Sequence, residues 1–512
     1  MTSASWSAGY VTDINYTHGY YQDLNPGRAR LALLQAGYSV SDTLTACELG
    51  FGQGVSIAMH SAAMNAQWSG TDFNPSQAMH AQKLAAAAGV DTKLHDEAFD
   101  EFCHRSDLPD FDYIGLHGIW SWISDKNRAV IVDFLRRKLK VGGIVYISYN
   151  TQPGWAAAAP LRHLMTEAAA SLLPTTSGSV ARAEGALDFV DKLLATEPAY
   201  LRANPQVKER FEKLKKDNPS YLAHEYFNRD WHPMYFADMA RWLEAAKLTF
   251  AASVNLLDHV ASINLSPLQQ QLLSQLSDRI MRETARDFCI NQQFRRDLWI
   301  KGGLKLNELE QAEALRAQRF LMVTPRAKAA MAITGPLGTA NLSEVVYTPL
   351  LDLMADHKVR TIGEMESALK GKVTLGQLVQ AAMILTGMST FTPAQEAGVV
   401  SKVKKRTERL NQHLMEQART RAEIMYLASP VTGGGIPLTR VPQLICLAIK
   451  LGKKTPADWA DYVFQILQAQ GQKILKDGKP IESDDENKAE LLRQAQEFGA
   501  EHLPILRALE VV

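Results

Sequence analysis

One stretch governs what this chain can become. An apolar run, Thr43 to Leu49, breaks at Gly50-Phe51-Gly52-Gln53-Gly54, and helical spacing resumes from Val55 to Asn65. A strand that enters a glycine turn and leaves as a helix is the opening unit of a parallel sheet covered by helices. The glycines let the backbone bend sharply and approach a ligand, while the helix behind them presents N–H groups with no partner of their own. Asp72 ends the next strand candidate, Gln67 to Asp72, 22 residues after Gly50, where a carboxylate can accept both hydroxyls of a ribose. The turn therefore marks a cleft for a small nucleoside-bearing molecule.

The alternation of strands and helices continues to residue 150. Ser76 to Ala88 reads as an Ala-rich helix stopped at Gly89, and Phe111 to His117 as a further strand. Ser124 caps a helix with apolar positions Val130, Ile131, Phe134, Leu135 and Leu139, and Gly142-Gly143 releases Ile144 to Ser148 as another strand. Past Trp155 strands become sparse. Leu268, Leu272, Leu273 and Leu276 form one helical stripe; Leu375, Leu378, Val379, Ala382 and Met383 form another behind a capping Thr374. The expected architecture is α/β, a doubly wound, mostly parallel sheet in residues 1–155, followed by a mainly helical region, 156–310, and a helical C-terminal region, 311–512. Val431-Thr432-Gly433-Gly434-Gly435-Ile436-Pro437 reads as an ordinary turn, because no Lys-Ser or Lys-Thr follows its glycines.

Composition removes several function classes. The chain has 55 Lys plus Arg against 55 Asp plus Glu, whereas phosphate-backbone binding normally calls for a basic excess. The basic run Lys402, Lys404, Lys405, Arg406 and Arg409 is read as a solvated helix face, and no nucleic-acid partner is expected. No stretch approaches the roughly 18 apolar residues of a membrane span, and Met1 to Trp6 lacks a basic segment followed by an apolar one, so a cytoplasmic protein without membrane insertion is expected. Cys47, Cys103, Cys289 and Cys446 lie far apart with no clustered His, so neither a disulfide framework nor a metal site is expected.

The choice of cofactor rests on the turn and its neighbours. A dinucleotide fold usually spaces its glycines G-x-G-x-x-G; here they are G-x-G-x-G with Glu48 two positions ahead. This pattern resembles motif I of the class I S-adenosylmethionine-dependent methyltransferases. A sulfonium cofactor carries no pyrophosphate, so an acidic residue beside the turn favours it, and residues 1–150 hold 15 acidic against 11 basic residues. The segments Asp112 to Ile123, Leu139 to Asn150, Pro153-Gly154-Trp155, Tyr16 to Tyr21 and His224 to Phe236 are similar to bacterial methyltransferases that carry a methyltransferase regulatory domain. That group in turn is similar to the rickettsial lysine methyltransferases of outer-membrane proteins. The resemblance covers roughly residues 10 to 300.

What it implies is specific. S-adenosyl-L-methionine is the expected cofactor, held by Glu48, Gly50, Gly52, Gly54, Asp72, Glu97, Ala98 and Gly118, with Tyr16, His18 and Tyr20 folding over it as a lid. His117 and Tyr149 are the candidate catalytic groups, His117 because an imidazole titrates in the useful range. Trp120, Trp122, Asn150 and Trp155, at the ends of the fourth and fifth strands, are the candidate acceptor channel; for Trp122 and Trp155 the competing reading is packing against the helical neighbour. His224 and Glu225 have two readings, groups at the mouth of the cleft or interior hydrogen-bonding groups, of which the second is favoured. The expected acceptor is a lysine of a protein substrate, with a homodimer as the assembly to test for. Two rivals stand beside it: methylation of a small molecule or surface glycan, and a non-catalytic module that binds the cofactor.

Overall fold

A computed structural model describes residues 17–174, 177–217, 219–476 and 478–512. Tyr16, expected in the lid, lies outside the described residues. The strands β1 (Thr45–Leu49), β2 (Gln67–Thr71), β3 (Lys93–His95), β4 (Phe111–Leu116), β5 (Leu139–Asn150), β6 (Leu248–Ser253) and β7 (Phe294–Lys301) form one sheet in the order β3-β2-β1-β4-β5-β7-β6. β1 to β5 run parallel, with Cys47 opposite Ser69 on one side and Ile114 on the other. β7 runs antiparallel to β5 and β6, placing Leu298 beside Tyr146.

The helices α1 (Pro26–Gln35), α2 (Val55–Ala63), α3 (Pro75–Ala88), α4 (Phe99–Phe102), α5 (Asp125–Lys138) and α6 (Ala159–Ser171) follow the local chemistry. Asn25 and Asn74 cap α1 and α3, each followed by a proline in the first turn; Gly89 ends α3 in the left-handed region; and the Ser124 hydroxyl accepts from Asn127 N at the head of α5. Central strands are buried on both faces, as helix-covered parallel strands must be. Ala46, Ile57, Trp68 and Ala81 fill one side, and Phe111, Ile131, Phe134 and Trp299 the other.

Three expectations change. A boundary near residue 156 cuts through the sheet, because β6 and β7 come from the stretch read as helical. β5 begins at Leu139 rather than Ile144: α5 stops at Lys138, and the glycines ride within the strand, Gly142 exposed at φ +80 and Gly143 buried, with the pairing to β4 shifting between Phe111 and Tyr113. Of the Leu268 stripe only Leu273 is buried, and Leu268 and Leu272 face outward on the Pro267–Ser274 helix.

The C-terminal region packs back onto the sheet domain. The Leu375–Gly387 helix, started by a capping box between Thr374 and Gln377, buries Leu378, Val379, Ala382 and Met383. The Ala397–Gln417 helix packs on α2 and α3. In its basic run Arg406 donates to Met64 O (3.1 Å), Lys404 pairs with Glu510 (3.1 Å), and Lys402 and Lys405 are exposed. The glycine-rich stretch is the turn and return strand of a hairpin, Tyr426–Ser429 with Gly434–Pro437. Gly434 and Gly435 leave no space for a Cβ because Tyr20 and Met59 lie against them.

Candidate active site

The cleft opens at the carboxyl ends of β1, β2 and β4, where open α/β sheets bind ligands. Gly50, Gly52 and Gly54 have φ of +73, +56 and +72, so a side chain at any of these three positions would be strained. Gly54 also presses on Ala81, and a Cβ at Gly50 would meet Ile119. Gly50 and Gly52 line the cleft; Gly54 lies behind it as the cap of α2.

Asp72 holds the turn in place. Its Oδ2 accepts from Gly52 N (2.9 Å) and its Oδ1 from Asn74 N (3.0 Å). Burial nevertheless pushes its carboxyl up to about 7. Beside it Glu48 is buried, pushed up to about 8 by burial and by the Asp72 charge, and its Oε2 has no hydrogen-bond partner. A carboxyl left unsatisfied at the floor of a cleft is a site prepared for a donor or a cation. Glu97 lines the cleft too: Oε1 accepts from Arg105 Nη1 (2.6 Å), while Oε2 is buried without a partner. Ala98 lies next to it, its N–H taken by Glu101.

The N-terminal segment 17–21 crosses the mouth, and neighbouring residues face opposite ways, as extended backbone requires. Thr17, Gly19 and Tyr21 line the cleft. His18 instead meets His80, ring centroids 5.0 Å apart, and Tyr20 points at the C-terminal hairpin with its hydroxyl 3.2 Å from His60 Nε2. Tyr20, expected on the cofactor, does not line the cleft; Tyr21 does, stacked on His117 at 4.1 Å. Tyr21→Ala should accordingly weaken cofactor binding by about 1 kcal/mol, within the range for a lost aromatic contact, and Tyr20→Phe should leave affinity unchanged. Isothermal titration checks both.

His117 follows the end of β4 and lines the cleft. Its Nδ1 lies 2.8 Å from the Tyr146 hydroxyl, and burial, reinforced by the Arg296 charge, takes its pKa down to about 3. The imidazole is therefore neutral but a weak base, which suits a fixed hydrogen-bonding group rather than one that takes a proton from the acceptor. Gly118, at φ +66, donates to Ser148 Oγ (2.8 Å). The turn that follows contributes Ile119, Trp122 and Ile123 to the wall.

The other three candidate channel residues, and the candidate catalytic Tyr149, lie elsewhere. Trp120 is fully buried, donating its indole N–H to Met234 Sδ (3.3 Å), while Arg128 Nε holds its carbonyl (3.1 Å). Tyr149 points to the opposite sheet face from Tyr146 and Ser148 and donates to Asp297 Oδ2 (2.8 Å). Asn150 uses its backbone, donating to Ser121 Oγ (2.8 Å) and accepting from Met234 N (3.0 Å). Trp155 packs against Trp231 (4.9 Å between centroids) under the Arg210 guanidinium. None of these four lines the cleft.

The roof comes from residues 224–230. His224, Glu225, Asn228, Arg229 and Asp230 all line the cleft, so His224 and Glu225 belong to it rather than to the interior alone. Arg162 Nη2 donates to Asn228 O (2.7 Å), and His232 N donates to Ser121 O (2.8 Å), which fastens this segment to the wall carrying Trp122. Sequence reasoning also missed Phe51, Phe73 and Ile119. Their one signal is position: each stands just past a strand end or at the head of the helix beyond it. Among the described residues no group of His, Cys, Asp and Glu is arranged to hold a metal, and no helix is long and apolar enough to cross a membrane.

Comparison with known proteins fits this geometry. The family described as "Predicted methyltransferase regulatory domain" matches residues 218–301, the stretch that supplies the roof, β6 and β7. Protein sll1526 of a Synechocystis species is 40% identical over 513 residues, covering 99% of this chain and 100% of that one. The chain belongs to the sll1526 family. A Rickettsia prowazekii protein, RP789, is 28% identical to this sll1526-family chain over 267 residues, 51% of this chain and 46% of that protein. Among solved structures, that of PKMT2 from Rickettsia typhi in complex with AdoHcy superposes with a TM-score of 0.68 at 17% identity, covering 98% of this chain and 100% of that one. This sll1526-family chain thus shares the overall fold of that structure, from the seven-stranded α/β sheet through the regulatory and C-terminal regions.

Proposed function

We propose that this chain is an S-adenosylmethionine-dependent methyltransferase whose acceptor is a lysine amine of a protein. The observation that carries the cofactor is the pair of buried carboxyls at the glycine turn, Glu48 with an oxygen unsatisfied and Asp72 beside it. A sulfonium cofactor has hydroxyls, an amino group and a positive charge for such a pair and brings no phosphate to be repelled. Asp72 would take the ribose hydroxyls, Glu48 would lie near the cationic end, and Phe51, Phe99 and Ile119 would cover the apolar surface of the base. The AdoHcy reported for PKMT2 agrees with this choice.

The cofactor supplies a methyl group on an excellent leaving group, so this chain's task is to align the acceptor and keep water out. An acceptor amine must be neutral to attack. Trp122, Ile123 and Tyr21 offer it an aromatic and apolar wall that disfavours the ammonium form, while Glu225 in the roof favours a cationic side chain at the entrance, where Asp230 is paired with Arg229 (3.0 Å). His117, held neutral against Tyr146, supplies orientation.

Protons compete with the cationic cofactor for Glu48 and Asp72. Affinity should therefore rise as pH increases from 6 to 8, by about tenfold per unit wherever one proton must leave, and level off above about 8. Glu48→Gln should lower affinity and flatten the upper part of this profile. Titration calorimetry at four pH values measures it, and an affinity that falls as pH rises would refute the arrangement. Transfer of labelled methyl from the cofactor to lysates, with proteins separated from small metabolites, tests the acceptor. Label in the metabolite fraction alone would move the assignment to a small molecule.

A further inference from the structure

A second groove shares Gln53 with the cofactor cleft. It holds about 700 Å³, a size usual for small-molecule sites, between the first turns of α3, the end of the Ala397–Gln417 helix and segment 418–424. Its basic side chains come from four parts of the chain: His80 and Lys83 from α3, His413 from the long helix, Arg421 from the segment behind it, and His18 from the stretch that crosses the cleft mouth. An adjoining groove shares His413 and Glu416 and adds Lys405, Arg409 and Lys450. None of these five Lys and Arg side chains pairs with a carboxylate among the described residues. The carboxylates that face them are three, Glu408, Glu416 and Glu423. Glu416 already accepts from Gln412 (2.7 Å) and Glu423 from Ala422 N (3.1 Å). Cations therefore outnumber anions before any imidazole takes a proton.

The end of the long helix does not offset this excess. Its last carbonyls are taken: Glu416 O and Gln417 O accept from the N–H groups of Arg419, Thr420 and Arg421, and Arg440 donates to Ala418 O (2.7 Å) and Arg419 O (3.0 Å). The imidazoles add a reserve of charge. His80 donates from Nδ1 to Gln53 O (2.7 Å), which leaves its Nε2 as the nitrogen that can take a proton, and its ring lies 5.0 Å from that of His18. Burial lowers the pKa of both. On His18 the His80 and Arg421 charges lower it further and Glu423 opposes them; on His80 Arg421, Lys83 and His413 lower it further and the Gln53 carbonyl opposes them. An anion placed among these groups would reverse the balance and favour the protonated rings.

We infer that this groove is an effector site for the phosphoryl group of a small metabolite, coupled to the cofactor cleft through His80 and His18. Lys83 and Arg421 supply fixed charge, the guanidinium with a fork of donors that matches phosphoryl oxygens, and the two imidazoles become donors by taking up protons as the anion binds. The coupling runs along the backbone. Gln53, whose carbonyl His80 holds, sits between Gly52 and Gly54 of the cofactor turn, and His18 sits between Thr17 and Gly19, which line the cleft. An anion that fixes both rings holds the turn and the mouth segment in place around the cofactor. Only this coupling rests on the reading of the cleft given above; binding of the anion does not.

Calorimetric titration of the full chain tests it, first without cofactor. Sulfate is the probe for pH, because its charge is constant between pH 6 and 8. Binding takes up protons, so sulfate affinity should rise as pH falls over that range, by up to about tenfold per unit for each proton. At pH 7 inorganic pyrophosphate should bind, and Lys83→Ala combined with Arg421→Ala, both at exposed positions, should weaken it by at least about tenfold, the loss expected for charged hydrogen bonds. Lys370→Ala, at an exposed lysine elsewhere, should not. ADP titrated beside pyrophosphate assigns the group to a nucleotide if it binds more tightly and to a free phosphate if it does not. Saturating pyrophosphate should raise the affinity for S-adenosylmethionine by about fivefold in the wild type and not in the double variant, and the cofactor should raise pyrophosphate affinity by the same factor. Cofactor binding without pyrophosphate is measured first, so a chain that never binds the cofactor is told apart from a groove that does not couple to it. A sulfate affinity that ignores pH, a double variant that binds pyrophosphate like the wild type, or a cofactor affinity unmoved by saturating pyrophosphate overturns the proposal. An RNA oligonucleotide that binds the wild type and not the double variant, with no heat from pyrophosphate, would also overturn it and give the surface to nucleic acid.

Discussion

Asp72→Asn should separate the two duties of this carboxylate: cofactor affinity falls by about 1–3 kcal/mol, the cost of a lost charged hydrogen bond, while the fold persists. The amide oxygen of Asn can still accept from Gly52 N or Asn74 N, so the glycine turn keeps part of its lock. Stability should move the opposite way to affinity. Burial raises the folded-state pKa of Asp72 from an ordinary carboxylate value to about 7, so the folded protein holds its proton more tightly than the unfolded chain. That contribution is fully present at low pH and is lost as pH rises through about 7. The wild type without cofactor should thus lose stability from about pH 4 to 7, and Asp72→Asn should lose less. Urea unfolding at pH 5 and pH 8, run beside calorimetry, reads both quantities. Equal affinities for wild type and variant would remove Asp72 from the cofactor site.

The second large effect concerns Arg295. This buried guanidinium ties together Glu283, Asp287 and Asp297, and Tyr149 donates to Asp297. Replacing Arg295 with Met should cost about 3–5 kcal/mol near neutral pH, because it strands carboxylates in the interior. Part of the loss should return on acidification, as the stranded carboxyls take up protons. Tyr149→Phe removes only one hydrogen bond and should cost about 1 kcal/mol, with methyl transfer close to wild type. Equilibrium unfolding and a methyl-transfer assay of both variants test this. A hundredfold loss of rate in Tyr149→Phe, with stability kept, would return that hydroxyl to the chemistry.

These cases also show how far the sequence could be read. The glycine turn, Glu48 and Asp72 are legible because their demands are local: positive φ, a helix start, a carboxylate at a strand end. Tyr149 was not legible, because which face of β5 meets the cleft depends on how β4, β5 and β7 pack. β7 arrives about 150 residues later, and its charged residues Arg295 and Asp297 disguise a buried strand; the disguise holds because they pair with each other. Tyr20 and Tyr21 differ by one position in an extended segment, and only the hairpin at Tyr426–Pro437 decides which of them turns inward. The roof residues His224 and Glu225 could not be assigned before the loop beyond them was seen fastened to Ser121.

The crossing of segment 17–21 carries a mechanical consequence. Thr17, Gly19 and Tyr21 shut the mouth on one side while Tyr20 is wedged into the glycines of a hairpin more than 400 residues away. Any molecule leaving by this route would have to prise that tyrosine loose, so the hairpin would serve as a latch on the segment that covers the cleft.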